Sequence, residues 1–310
     1  MSALQAALVV ARFTHYAALT LAFGAALFPL YAYGPDAGLR ARAGRSMAGL
    51  MPACAAVALV SGLGWLAVSA ATMADDPAAA VDPTTLRLIL TEMDFGRIWA
   101  VRMALAALLV VASLWGRGTP GRLRLAPPLL SGLLLVSVAA TGHGISGPEG
   151  LGVWHGLADG AHLLAAGAWL GALVPLAMLA RPEPGATPDA VAELARMLAR
   201  FSKVGYLAVA TLVATGLVNA WLLVGSVEGL VATAYGRVLL VKLALFAAML
   251  GFAAANRFKL TPALAGLAYG DNARPLLGRL RRHVMAEQAL GLMILAAVSL
   301  LGTLAPPASA

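Results

Sequence analysis

Long apolar runs, separated by short polar segments, make up almost the whole chain. Each run is close to the roughly 20 residues that a helix needs to cross the hydrocarbon core of a bilayer. The pattern therefore predicts an all-α, polytopic membrane bundle of about eight transmembrane helices. We place these helices at residues 5–34, 46–72, 95–115, 126–142, 155–180, 200–225, 235–255 and 284–304.

The composition supports a lipid environment. Of the 310 residues, 61% are hydrophobic and only 12% are charged, whereas a soluble domain carries about 25% charged residues. Such a chain has too few polar side chains to cover itself in water, so lipid must be its solvent. Its single cysteine, Cys54, excludes an internal disulfide framework and a paired-cysteine redox motif.

The charged residues divide the connections between helices into two classes. Most of the 22 basic residues lie in connections around 35–45, 116–125, 181–200 and 257–282, while the other connections are acidic. Because basic connections stay in the cytoplasm, we expect a bacterial inner-membrane protein with both termini in the periplasm. The net charge of +8 then reflects topology, and no nucleic-acid partner is expected. The acidic connections hold Asp75, Asp76, Asp82, Glu92, Asp94, Glu149 and Glu228.

The chain also contains an internal repeat. Residues 95–105 and 235–245 each begin with an aromatic residue, a glycine and an arginine, and each has a second cation five residues after that arginine. Four crossings return a chain to the same side, so we predict two parallel four-helix halves, 1–150 and 151–310, in a single membrane domain. Further matched pairs are His15 with His162, Gly24 with Gly171, and Ser61-Gly62-Leu63 with Thr215-Gly216-Leu217.

Four histidines lie in the predicted outer half of the bundle. Polar side chains inside hydrocarbon are costly and commonly functional. His15 and His162 lie roughly 15 Å and 12 Å below the outer surface by helical rise, and as repeat-related residues they are expected to face one centre. His143 lies where the fourth helix reaches the outer surface. His155, Asp159 and His162 share one face of the fifth helix, at i, i+4 and i+7.

These side chains form a candidate metal site. Neutral imidazole binds Cu, Zn, Fe and Ni. We predict that Asp159 orients a histidine by accepting its second N–H. The alternative for each histidine is a hydrogen-bonded packing residue. The predicted metal ligands are His15, His143, His155 and His162.

Two cations lie deeper than the membrane interface. Arg102 and Lys242 occupy equivalent positions in the repeat, about 7–8 Å further in than Arg97 and Arg237. A charge at this depth must find a partner, reach the interface or bind an anion. The partner could be a carboxylate such as Asp159, and the anion could be a lipid phosphate or a haem propionate. We therefore treat Arg102 and Lys242 as candidate cofactor-binding residues.

Several motifs taken together resemble one family of membrane proteins, the copper resistance protein D family (CopD, PcoD). The resemblance covers most of the chain and is strongest from about 155 to 307. The segments that carry it are 159–173, with Asp159 and His162, 215–226, with Thr215 and Asn219, 235–258, ending in Asn256-Arg257-Phe258, and 301–307.

The resemblance implies an eight-helix inner-membrane protein that moves copper towards the cytoplasm or supplies it to enzymes. It also implies a periplasmic copper-binding partner of the CopC type, which we expect to be a separate chain. Together with the histidines, it predicts that copper is taken up or delivered from the periplasm through an outer-half histidine site. No enzymatic activity is expected under this interpretation.

Two alternatives stay open. Two histidines at similar depth with nearby cations are also the arrangement by which a membrane cytochrome holds b-type haem, through axial imidazoles and paired propionates. In that case the protein would be an oxidoreductase. The second alternative is that the protein is an assembly scaffold for a copper enzyme.

The predicted topology can be tested by labelling single cysteines from the periplasmic side. In a Cys54→Ser background, Ala80→Cys should react with an impermeant thiol reagent, because the charge pattern places this connection outside. Gly270→Cys should react only after the membrane is permeabilised. Strong labelling of Gly270→Cys in intact cells would overturn the predicted orientation.

Overall fold

The computed structural model describes residues 2–34, 44, 47–115, 125–140, 151–181, 188–267 and 272–309. These residues are almost entirely helical and contain no β-strand. In chain order the helices are α1 (Ala3–Ala32), α2 (Leu50–Ala74), α3 (Pro83–Glu92), α4 (Asp94–Trp115), α5 (Ala126–Ala139), α6 (Leu151–Leu179), α7 (Pro188–Val224), α8 (Val227–Ala232), α9 (Ala234–Ala255), α10 (Thr261–Ala265) and α11 (Arg274–Leu301).

The helix lengths confirm an all-α, polytopic membrane bundle. Within the described residues, seven helices are long and apolar enough to cross a bilayer. The eighth predicted span corresponds to α5, which is apolar but has only 14 described residues. The seven long helices are α1, α2, α4, α6, α7, α9 and α11, where α9 continues through a π turn at Asn256–Leu260 into α10.

Two helices begin well before the apolar runs that predicted them. Helix α7 begins at Pro188 rather than at residue 200, and α11 begins at Arg274 rather than at residue 284. The added turns of α7 contain charged residues, so they are not part of an apolar run in the sequence. They are held by Glu193, which is 2% exposed and forms ion pairs with Arg196 and Arg200 at 2.7 and 3.0 Å.

Two contacts show which helix ends lie together. The Arg12 Nη1 atom donates to the carbonyl oxygen of Gly302 at 3.0 Å, which joins the beginning of α1 to the end of α11. At the other end, Arg200 Nη1 donates to the carbonyl oxygen of Ala32 at 2.7 Å, which joins early α7 to the end of α1. We call the end of the bundle that holds the start of α1 and the end of α11 the termini side.

The repeated aromatic-Gly-Arg motif has a structural reason. Each copy opens a long helix, α4 or α9, directly after a short helix, α3 or α8. A Cβ atom on Gly96 would overlap the carbonyl group of Ile89, and one on Gly236 would overlap the carbonyl oxygens of Gly229 and Leu230. Glycine therefore lets each long helix start in contact with the short helix before it. These equivalent contacts fit a duplication, while the division into halves 1–150 and 151–310 stays a prediction.

Helices α1 and α6 touch backbone to backbone. A Cβ atom on Gly24 would overlap Gly167 and Gly171, and one on Gly171 would overlap the carbonyl oxygen of Thr20. Small residues at helix crossings allow this close packing in a membrane, where association is not driven by the exclusion of water. The matched glycines of the repeat thus lie at the seam between its two halves.

Replacing Gly171 by valine should destabilise the bundle, because the new side chain would overlap backbone atoms of α1. Overpacking costs about 1–3 kcal/mol where side chains can shift, and a backbone neighbour cannot rotate away. We expect a clear drop in the thermal unfolding midpoint of the purified protein in detergent. Gly64→Ala is the matched control, since nothing lies within 4 Å of its Cβ position. Equal midpoints for the two variants would contradict the packing.

Candidate functional site

His15 is fully buried in α1 and is held by α2. Its Nδ1 atom lies 3.0 Å from the carbonyl oxygen of Ala58 and 3.2 Å from the hydroxyl of Ser61. A carbonyl oxygen only accepts hydrogen bonds, so Nδ1 must carry the proton. This contact selects the neutral tautomer whose Nε2 has a free lone pair. Among the described residues Nε2 has no hydrogen-bond partner.

His162 has the same arrangement in the other half. Its Nδ1 atom lies 2.8 Å from the hydroxyl oxygen of Thr215, and that hydroxyl donates to the carbonyl oxygen of Thr211 at 2.6 Å. Because the single hydroxyl proton is used, Nδ1 of His162 must be the donor. The lone pair of Nε2 is again left for a ligand. Metal-binding histidines commonly donate their second N–H in this way.

The contacts of the two histidines correspond through the repeat. Ser61 and Thr215, which fix the two rings, are the matched residues of α2 and α7. The glycine that follows each of them faces the imidazole: a Cβ atom on Gly62 would lie 3.3 Å from Cε1 of His15, and one on Gly216 would lie 3.8 Å from Cε1 of His162. We call these surroundings the His15 pocket and the His162 pocket.

The His15 pocket is closed by aromatic side chains. The imidazole lies edge-on to Trp65, with ring centroids 5.7 Å apart, and is stacked near Trp99 at 6.4 Å. The thioether of Met103 reaches the same space, since a Cβ atom on Gly62 would also lie 2.9 Å from its sulfur. Sequence reasoning missed Met103, whose only signal was its place directly after the buried Arg102.

The His162 pocket, by contrast, contains a cavity of about 230 Å³. Leu239 takes the position that Trp99 has in the repeat, and Asn219 takes the position of Trp65. Smaller side chains at these two positions leave the space beside the imidazole open. Residues that line the cavity include His162, Trp169, Gly216, Lys242, Phe246 and Gly291.

His155 and Asp159 form a polar cluster with α7. The Nε2 atom of His155 lies 3.7 Å from Oδ2 of Asp159, and Nδ2 of Asn219 donates to Oδ1. Asp159 also interacts electrostatically with Lys242, which interacts in turn with His162. The structure therefore places Asp159 against His155 and Asn219, whereas Thr215 is the group that orients His162.

The two repeat-related cations have polar partners. Arg102 is fully buried, its Nε donates to the hydroxyl of Ser137 at 3.0 Å, and its Nη2 donates to the carbonyl oxygen of the same residue. Its guanidinium also lies over the ring of Trp99, 4.4 Å from the centroid. For Lys242 the opposing charge is the Asp159 carboxylate, which acts at longer range than an ion pair. The first cation is thus hydrogen-bonded to a carbonyl oxygen, whereas the second has only an electrostatic interaction with a carboxylate.

The two pockets differ in the charged side chains around them. Arg12 and Asp159 each lie three residues before the histidine of their half, so a cation in one half replaces a carboxylate in the other. Arg12 lies over the ring of Trp65 at 5.1 Å and interacts with Arg102. The His15 pocket therefore has two cations nearby, whereas the His162 pocket has one cation, Lys242, in its described lining. A metal cation is repelled less by the second arrangement.

The structure does not bring the predicted ligands into one cluster. Within the described ranges, no group of three or more His, Cys, Asp or Glu side chains could hold a metal ion. His143 lies outside the described residues. His15 is hydrogen-bonded to α2 and His162 to α7, so the two imidazoles lie in separate pockets of contacts. Their assignment as metal ligands stays a prediction.

Comparisons with known proteins point to copper. Residues 1–154 match the family described as copper resistance protein D-like, N-terminal domain, and residues 195–301 match the family described as copper resistance protein D. The chain is 36% identical over 307 residues to copper resistance protein D of Pseudomonas syringae pv. tomato, covering 96% of each chain. No solved structure gives a significant match.

Two further relatives extend the comparison. Inner membrane protein YebZ of Escherichia coli K12 is 29% identical over 299 residues, which cover 96% of this chain and 98% of that one. Copper transport protein CutJ of Bacillus subtilis is 29% identical over 327 residues, covering 99% of this chain but 54% of its own length. The similarity to the first two relatives therefore spans nearly the whole of both chains.

Removing the Thr215 hydroxyl should weaken metal binding to His162 without unfolding the protein. Thr215→Val keeps the side-chain shape but no longer accepts the Nδ1 proton, and loss of such an outer partner typically costs 10–100-fold in metal affinity. Copper affinity can be measured by competition with a chromophoric chelator. Ser61→Ala is the control in the His15 pocket, where the Ala58 carbonyl still accepts. Copper affinity that is unchanged in Thr215→Val would contradict this role of the hydroxyl.

Proposed function

Because the chain belongs to the copper resistance protein D family, we propose that it takes up or delivers copper from the periplasm through a histidine site near the termini side of the bundle. The family membership and the helix content make it a multi-pass inner-membrane protein that handles copper. What we propose in addition is the side from which copper enters, the site that binds it and the direction in which it moves.

The observation that carries the proposal is the state of His162. Its Nδ1 is held by Thr215, its Nε2 is left for a ligand, and its side chain lines a cavity. Imidazole nitrogen suits copper in either common oxidation state. Among the described residues, Lys242 is the one cation in the lining of this cavity, whereas Arg12 and Arg102 both lie near His15, so a copper ion meets less repulsion beside His162.

His15 supports a secondary role in the same proposal. Its pocket offers an imidazole nitrogen and the Met103 thioether, which is a soft pair suited to Cu(I). Arg12 and Arg102 lie close to this pocket and oppose a cation there. We therefore assign the principal copper site to His162 and treat His15 as the weaker one.

The predicted orientation supplies the partner. With basic connections in the cytoplasm, the termini side faces the periplasm, where a copper-binding protein of the CopC type could deliver its metal. The remaining surface of the bundle contacts membrane lipid. We propose binding and transfer of copper, with no enzymatic reaction.

The haem alternative would need a different arrangement of the same residues. A b-type haem takes two axial imidazoles at one ring, with cations near its propionates. Arg102 is engaged by Ser137 and Trp99, while Lys242 lines a cavity beside His162. These contacts fit two copper-handling pockets better than one haem cleft.

Replacing His162 by alanine should abolish copper retention by the purified protein, because it removes the nitrogen that faces the cavity. His15→Ala should reduce retention less, and His283→Ala should leave it unchanged, since that ring packs edge-on to Phe252 at 5.3 Å, away from both pockets. Copper content per protein after gel filtration is the measurement, with elution volume as the check on folding.

Two outcomes would reject the proposal. Wild-type copper retention in His162→Ala would remove the site. An intense Soret absorption band in the purified wild-type protein, lost in His162→Ala, would establish haem ligation and promote the redox alternative.

A further inference from the structure

Glu287 is a buried carboxyl group that the copper site does not use. It lies in the middle of α11 and is 2% exposed. The Nδ2 atom of Asn256 donates to its Oε1, and the side chain of Trp169 is also hydrogen-bonded to it. Both donors are neutral, so they orient the carboxyl group without compensating a negative charge. A bare carboxylate at such a depth is costly, which favours a bound proton or cation.

Glu287 lines a second cavity of about 180 Å³, on the side opposite to the termini. That side is set by Asn256, which follows the last turn of α9 and begins the π turn Asn256–Leu260. A π turn inserted in a helix commonly marks a functional position, and here it places Asn256 next to Glu287. At about 30 Å³ for each water, the cavity has room for several water molecules.

Trp169 separates this cavity from the His162 pocket. It lines both cavities, and it follows His162 by seven residues, or about 10 Å, along α6. On α11, Glu287 lines one cavity, and Gly291, about 6 Å further along, lines the other. The two cavities are therefore consecutive within the second half of the bundle. The indole forms the wall and packs edge-on to Phe246 at 6.0 Å.

The chemistry of the second cavity suits a proton better than copper. Its polar side chains carry hydroxyl, amide, carboxyl and guanidinium groups, and its lining within the described part of the chain has no histidine, methionine or cysteine. Soft thioether and thiolate ligands are the ones that select Cu(I). Ionisable groups inside membrane segments commonly serve as proton sites in transporters. Glu287 lines the second cavity and is hydrogen-bonded to Trp169, the wall between the two cavities. We propose that Glu287 is a proton-binding site whose occupancy is coupled through Trp169 to copper binding at His162. This proposal rests on the copper-binding role of His162.

The groups that face Glu287 set its proton affinity. Arg257, from the π turn, and Tyr206, from α7, line the same cavity. Helix α6 contacts Glu287 through the neutral side chain of Trp169. At the end of α1 opposite to the termini, the titratable residues are Tyr31 and Tyr33. His283 lies one turn earlier on α11 with its ring against Phe252. Arg257 is the cation among the described side chains that line this cavity.

The coupling is an exchange of charge. A carboxylate accepts the indole N–H more strongly than a carboxylic acid does, so losing the proton draws Trp169 towards Glu287 and away from the His162 pocket. A cuprous ion bound by His162 adds one positive charge to this half. Release of one proton from Glu287 restores the previous net charge. Copper binding and proton release should therefore occur together, at one proton for each cuprous ion.

Infrared difference spectroscopy on the purified full-length protein tests the proton site without copper. We expect a carbonyl stretching band of a protonated carboxylic acid that disappears in Glu287→Gln. The matched control is Glu193→Gln, which removes another carboxyl group that is 2% exposed but is paired with two arginines; the band should persist there. If Glu287→Gln does not fold, Glu287→Asp replaces it and should shift the band.

Cuprous ion added to the same samples tests the coupling. The band should be lost in the wild-type protein and retained in His162→Ala, and Trp169→Phe should reduce the effect of copper without removing the copper-free band. A copper-free band that survives in Glu287→Gln overturns the proton site. A Glu287 band that stays unchanged while copper binds overturns the coupling. Failure of the wild-type protein to bind copper instead rejects the proposed function, and the copper-free spectra still judge the proton site.

Discussion

The structure depends on one constraint, which is that a polar group inside hydrocarbon must find its partner within the protein. Three buried polar side chains show how the protein meets this constraint. His15 donates to a backbone carbonyl of α2, Arg102 is held by Ser137, and Glu287 accepts from Asn256. These bonds join neighbouring helices at defined heights, in addition to the glycine contact between α1 and α6. The same constraint fixes the tautomer of His15 and His162, so the position of the free imidazole nitrogen follows from packing.

The equivalent contacts of the two halves make their differences informative. Where one half has Arg12, Trp65 and Trp99, the other has Asp159, Asn219 and Leu239. These differences close the His15 pocket with aromatic side chains and place two cations near it. Beside His162 they accompany a cavity whose described lining has one cation, Lys242. The His162 pocket is therefore the one of the two with space beside its imidazole and fewer cations around it.

A helix that crosses lipid must be long and apolar, so the membrane helices can be recognised in a single sequence. The family and the presence of His15 and His162 inside the bundle can also be predicted from the sequence. It could not predict which contacts those histidines make, since the hydroxyl of Thr215 matters only once α6 and α7 are packed. Glu287 was missed for a definite reason. An apolar run beginning at residue 284 places it at the interface, whereas α11 begins at Arg274 and carries it to the middle of the helix.

The two cavities differ in the ionisable groups of their linings. Lys242 lines the cavity beside His162, and the Asp159 carboxylate acts on it electrostatically. Glu287 lines the other cavity, and its hydrogen-bond partners Asn256 and Trp169 are neutral. A change of charge on Glu287 therefore leaves no charged partner unbalanced. Because Trp169 lines both cavities, the proposed coupling would pass through this one side chain.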